Sequence, residues 1–140
     1  MRTIAFAWST ILVIACGTND PNKFHDGCDH ISSLEVTAGP TPDIDWSPDC
    51  AVNTITVHQA LTPEDPGSDP LPVGQTMWEI HATEVAGNTI EPSVRYGEVP
   101  PGIIEGSPPL PLTVGQTYIV SVGTVSLSGP GVGRRLFFTP

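Results

Sequence analysis

The sequence predicts an all-β protein, a single seven-stranded Greek-key β-sandwich behind an N-terminal leader and tether. Three observations predict it. The 140 residues include 16 Pro and 14 Gly, a content suited to short strands joined by turns, and no long apolar stripe at helical spacing runs through them. Seven short runs alternate apolar and polar residues, the period of a half-buried strand. Finally, Leu110 to Val125 reads as a turn feeding one long strand, with Leu112, Gly115 and Tyr118 at offsets of three. That spacing carries a mechanism. A buried Leu, a Gly at the bend and a Tyr whose hydroxyl bonds back to the backbone make the tyrosine corner of Greek-key sandwiches.

Taken in order, Leu34 to Thr37 is the first run, closed by Gly39-Pro40. Asp43 to Ser47 is the second, with Ile44 and Trp46 inward, Asp43 and Asp45 outward, and Pro48 as its stop. Thr54 to Gln59 is the third, with Ile55 and Val57 on its apolar face. An acidic, Pro-rich loop over 61–72 follows. Met77 to Ala82 is the fourth, with Trp78, Ile80 and Ala82 on one side. Thr89 to Tyr96 is the fifth, and its Pro92 marks an edge strand or an irregular start. Residues 99–111 read as a Pro/Gly-rich crossover. The long strand through Tyr118, Val120 and Val122 is the sixth. Turn material at 128–133 precedes the seventh, Arg134 to Thr139.

The predicted core is Leu34, Val36, Ile44, Trp46, Ile55, Val57, Trp78, Ile80, Val94, Leu112, Tyr118, Val120, Val122, Leu136 and Phe138. Leu71 to Met77 and Leu112 to Tyr118 share the pattern Leu-x-Val-Gly-Gln-Thr before an aromatic or Met. The shared spelling predicts one turn solution used twice, over too short a span for a duplicated domain.

The first fifteen residues have a different character. Arg2 precedes an apolar run from Ile4 to Ile14, about half the roughly 20 residues a transmembrane helix needs, which fits a secretory signal. The run ends in Val13-Ile14-Ala15-Cys16, which resembles the lipobox of bacterial lipoproteins. The resemblance implies cleavage before Cys16 and acylation of that Cys, so that the chain is held by membrane lipid. Several acyl chains on one residue make a firm anchor. Gly17 stands where an Asp favours inner-membrane retention in that family, so the expected location is the cell envelope, outer rather than inner membrane. Removing residues 1–15 takes away Arg2 and no acid, leaving 4 − 15 = −11.

Residues 16–33 are expected to be the lipidated Cys and a polar tether, with 17–33 spanning roughly 55 Å if fully extended. Three cysteines less one lipidated leaves Cys28 and Cys50, an even pair in an oxidising compartment. Their disulfide would close a loop of about 23 residues and contribute about 3 kcal/mol by chain entropy. The competing reading is a transition-metal site built on His25, Cys28 and His30.

With these pieces placed, residues 33–140 resemble a fibronectin type III domain, the sandwich domain itself being expected over 34–140. Ile44-Asp45-Trp46-Ser47-Pro48 is similar to that family's second strand, and Leu112-x-x-Gly115-x-x-Tyr118 to its corner and sixth strand. An immunoglobulin-like relative fits the same residues. Val114 and Gln116 depart from the residues usual beside the corner Gly. Either resemblance implies a binding or spacer module without catalytic residues.

Other chemistry is weaker. Asp43, Asp45 and Asp49 lack the Gly that an EF-hand loop needs at its sixth position, where Pro48 stands. Glu64, Asp65 and Asp69 read as solvated loop acids. His58 and His81 fall on polar strand faces and would be cross-strand neighbours. The Gly129-x-Gly131-x-Gly133 run lies between strands and suits a hairpin better than a phosphate cradle. Arg134 and Arg135 are the only paired bases, read as solubilising edge charges. Five Lys+Arg against 15 Asp+Glu exclude a nucleic-acid partner, since phosphates need a basic face. The expectation is a membrane-anchored, non-catalytic binding or structural module with no cofactor, whose partner is another envelope protein or a glycan. The runner-up is a metal-binding envelope protein using His25 and His30. Partner contacts are expected on the loops at 61–72, 99–111 and 128–133.

Overall fold

The computed structural model describes residues 24–61 and 73–140. Among these residues the chain is all-β, with eight strands and no helix: β1 Ser33–Val36, β2 Asp43–Ser47, β3 Thr54–Ala60, β4 Val73–His81, β5 Val94–Arg95, β6 Ile104–Ser107, β7 Tyr118–Gly123 and β8 Gly133–Phe138. They form two sheets. One has three strands in the order β1-β2-β5, the other five in the order β6-β4-β3-β7-β8, and every pairing is antiparallel.

Alternation sets which residues meet between the sheets. On β2, Ile44 and Trp46 are buried while Asp45 is exposed. On β3 and β4, Ile55, Val57, Trp78 and Ile80 have essentially no exposed surface. These side chains join Leu34, Val94, Tyr118, Val120 and Val122 in one core supplied by both sheets, with Val36, Leu136 and Phe138 packed at its margin. A fully buried aliphatic or aromatic side chain contributes about 1.5–3 kcal/mol before entropy. Ile119 points to the opposite face of β7 yet is also buried. It sits between His58 on β3 and Phe137 on β8, and a central strand is covered by its cross-strand neighbours.

Several expectations need correction. There are eight strands, not seven, because β6 lies inside the expected crossover at 99–111. It pairs with β4 at His81, Ile80 and Glu79. Its sequence, Ile104-Glu105-Gly106-Ser107, has only one apolar residue, since an edge strand with three exposed residues out of four leaves no alternation to read. The fifth run shrinks to Val94–Arg95 on the sheet edge, consistent with Pro92. Ile90 still pairs with Val52 as an isolated bridge. β4 begins at Val73, so Gly74 lies within a strand, whereas Gly115 turns with φ +83°. The repeated spelling therefore serves two conformations. His81 faces Thr54 and His58 faces Thr76, which puts the two histidines at opposite ends of β3 rather than side by side.

The tether also ends sooner than expected. Residues 24–33 lie against the domain: the His25 N–H donates to Ala86 O at 2.9 Å, and Cys28 and Ile31 are core residues. The short apolar residues Cys28 and Ile31, three apart among polar neighbours, gave no strand signal, yet each fills the core.

The antiparallel order gives the domain two ends. At the first lie residues 24–33, the segment around Cys50, the turn at 83–90 and the β7–β8 loop at 124–132, joined by the backbone bonds Cys28 N to Ala51 O, Asn88 N to His25 O and Thr124 N to Val132 O. At the second lie the facing ends of β3 and β4 at Ala60 and Val73, the corner at 112–118 and the chain's last residues beside Phe138, since Tyr118 faces Phe138.

Candidate functional site

Cys28 and Cys50 are joined as a disulfide with their Cα atoms 5.3 Å apart. The bond lies at the first end, under Trp46, whose indole Nε1–H donates to Cys50 O at 2.8 Å. A bonded sulfur is not a thiolate, so Cys28 is no metal ligand beside His25 and His30, both of which have exposed side chains. No group of three or more potential metal-ligating residues gathers among the described residues.

The strongest polar feature at this end was not singled out from sequence. Asn88 is almost fully buried, at 1% exposure. Its Nδ2 donates to His25 O at 3.0 Å and to Val125 O at 2.8 Å, and its Oδ1 accepts the Val125 N–H at 2.9 Å. One amide thus ties the incoming segment to the β7–β8 loop, using both donors and an acceptor. Gly27 makes room for it, because a Cβ there would stand 2.5 Å from Asn88 Cγ and 2.9 Å from Ala51 O. An Asn after a Gly normally signals a turn. Nothing in the local pattern distinguishes one whose side chain turns inward.

Between residues 26–29 and 124–132 this junction leaves a cleft of about 520 Å³ lined by Asp26, Asp29, Thr124, Ser126 and Ser128. The loop beyond it is exposed from Val125 to Gly131. Arg134 and Arg135 follow directly on β8. Arg134 Nη1 donates to Ile31 O at 3.3 Å, a docking contact with the incoming segment in place of the expected free edge charge.

The second end is organised by two tyrosines. Tyr118 is buried, and its hydroxyl accepts the Thr113 N–H at 2.8 Å. Leu112 is buried beside it, and Gly115 takes the left-handed conformation at the bend. Tyr96 is buried against Trp78, ring centroids 5.3 Å apart, and its hydroxyl proton lies between Met77 O at 2.9 Å and Leu110 O at 2.7 Å. Burial pushes its pKa up to about 12, against the lowering effect of the bond to Leu110. A cleft of about 540 Å³ opens beside it, lined by Pro40, Thr41, Arg95, Glu98, Leu110 and Pro111. On its rim Arg95 Nε donates to Asp43 at 2.9 Å across β2 and β5. That hydrogen bond, with the charge of Asp43, raises the arginine's pKa further. Asp45 is engaged as well, accepting the Trp46 N–H at 3.0 Å, so two acids of the Asp43-Asp45-Asp49 series are held in separate local contacts.

The loops expected to carry contacts do not converge. Residues 128–133 lie at the first end and Leu110 at the second, and residues 62–72 lie outside the described residues. Cys16 and the lipobox, and Glu64, Asp65 and Asp69, lie outside the described residues. No helix among the described residues is long and apolar enough to cross a membrane. Compared with models of known families, with curated proteins and with solved structures, the chain gives no match.

Proposed function

We propose that the protein is a membrane-anchored lipoprotein of the cell envelope, held through an acylated Cys16 and acting as a non-catalytic binding or structural module. The observation that carries this reading is where the disulfide sits. The Cys28–Cys50 bond fixes the incoming chain to one end of the domain, in keeping with an exported protein in an oxidising compartment. Only residues 17–23 then separate Cys16 from the docked segment at Phe24, a reach of about 25 Å at most. The first end faces the anchor, and the second end, with its corner and its proline-lined cleft, faces away toward a partner protein or glycan.

The strand order supports the finer fold assignment. β1-β2-β5 opposite β4-β3-β7-β8 is the arrangement of an immunoglobulin-like or fibronectin type III sandwich, with β6 added before β7. The bond from Thr113 to Tyr118 supports the same assignment.

The test is the mass of the mature protein extracted from membranes, together with crosslinking in intact cells and identification of the captured neighbours. An N-terminal residue 16 carrying acyl chains is the expected result. A mature chain that begins elsewhere, or that leaves membranes in salt alone, overturns the anchor. Crosslinks made mainly from residues of the first end to another envelope protein overturn the orientation.

A further inference from the structure

The β7–β8 loop closes a long uncharged stretch of this acidic protein, residues 106–133. Residues 124–132, Thr-Val-Ser-Leu-Ser-Gly-Pro-Gly-Val, contain no charged side chain in a chain of net charge −10. At its tip Leu127 is 79% exposed, Val125 is 38% exposed beside it, and Val85, 64% exposed, stands on the neighbouring turn of the same end. The other end also exposes apolar residues, Leu61 and Val114, but Leu61 runs on in sequence into a stretch that carries Glu64, Asp65 and Asp69. Desolvating charges of that kind opposes insertion into lipid. The described residues hold three cations, Arg95, Arg134 and Arg135. Two of them, Arg134 and Arg135, follow the loop after Gly133.

Chain length adds the second argument. This inference rests on the lipid anchor proposed above. With Cys16 in the bilayer, the docked segment starts at most about 25 Å away. A short tether holds its cargo at a millimolar effective concentration, so a contact too weak to bind free protein is still occupied.

We propose that the β7–β8 loop is a membrane-contact surface, its uncharged tip with Leu127 resting in the headgroup region of the bilayer that holds Cys16. A peripheral apolar surface of this kind enters the boundary between headgroups and acyl chains by about 5–10 Å. Arg134 and Arg135, just behind the tip on β8, then stand at the depth of lipid phosphates. Asp26 and Asp29 line the cleft behind the loop and Glu84 lies on the adjoining turn. They disfavour anionic lipid, so the contact is to a zwitterionic surface.

The experiment uses acylated full-length protein, processed in cells and reconstituted in phosphatidylcholine vesicles with brominated acyl chains. Leu127→Trp and Val114→Trp each add one indole at an exposed site, one at each end. The native Trp46 and Trp78 are buried and set the background. Bromine is expected to quench the added emission of L127W and to leave that of V114W unchanged. In unbrominated vesicles the L127W emission should also shift to the blue. Equal quenching at both positions, or none at 127, in protein whose mass shows the acyl chains overturns the docking and leaves the anchor standing. A mature mass without acyl chains overturns anchor and docking together.

Discussion

Replacing Tyr96 by Phe removes one oxygen from the interior and leaves the ring against Trp78. Leu110 O loses its hydroxyl donor, whereas Met77 O keeps the Leu110 N–H at 2.9 Å. One part-buried carbonyl left without its donor costs about 1 kcal/mol at neutral pH. The pH dependence is the sharper part. The hydroxyl's pKa rises from 10.0 to about 12 on folding. Below 10 the proton is present in both folded and unfolded chains, and the hydrogen bond contributes fully. Between 10 and about 12 the unfolded tyrosine ionises while the folded one does not, so stability falls as pH rises. Two units correspond to at most about 2.7 kcal/mol, and solvent at the adjoining cleft reduces this to about 1–2 kcal/mol. Urea unfolding of both chains, from neutral pH through that window, should show wild type more stable at first and the gap closing as pH nears 12. Every other titrating group is common to both chains. A gap that stays constant across the window, or a variant as stable as wild type at neutral pH, would refute the reasoning.

Other outcomes follow from the same contacts. Reducing the Cys28–Cys50 disulfide should lower stability by about 3 kcal/mol, measured by urea midpoints with and without reductant. Hydrogen exchange should rise first at His25, Cys28 and Ser32, whose N–H groups are bonded to the domain. Asn88→Asp places acceptors where two carbonyls need donors and should cost more than Asn88→Ala, itself about 2–3 kcal/mol. Part of that excess should return on acidification, because a protonated acid can donate, and thermal melts of both variants against pH would read it. Gly115→Ala should cost about 1 kcal/mol from backbone strain alone, since open space surrounds that position. Gly27→Ala should cost more, because Asn88 must move, and parallel melts rank the two. Tyr118→Phe should cost about 1 kcal/mol through the lost acceptor for Thr113 N–H.

The legible parts of the fold were those where one side chain reports one environment. Ile44, Trp46, Ile55, Val57, Trp78, Ile80, Val120 and Val122 alternate with polar residues and are all buried. The corner was legible because Gly115 and Tyr118 each do something few other residues can. Pairing Cys28 with Cys50 needed only counting. The remainder depends on partners remote in sequence. Asn88 is buried because His25, 63 residues earlier, and Val125, 37 later, close over it. β6 is a strand only because β4 offers it an edge. Tyr96 aligned correctly in its run, but its two carbonyl partners come from β4 and from Leu110, beyond any local window. The segment at 24–33 read as tether because only Cys28 and Ile31 are buried apolar residues within it, too few for a pattern.

The covalent bridge has a mechanical meaning. On the proposed anchoring, tension applied between Cys16 and a partner at the far end enters the domain near Phe24, reaches Cys28 and crosses the sulfur bridge to Cys50. It then passes on toward β3 in the larger sheet. Residues 29–49, with β1 and β2, form a closed side loop that carries no load while the bridge is intact. Pulling cannot peel the first hairpin from the domain, and only a reductant puts β1 and β2 in the line of force.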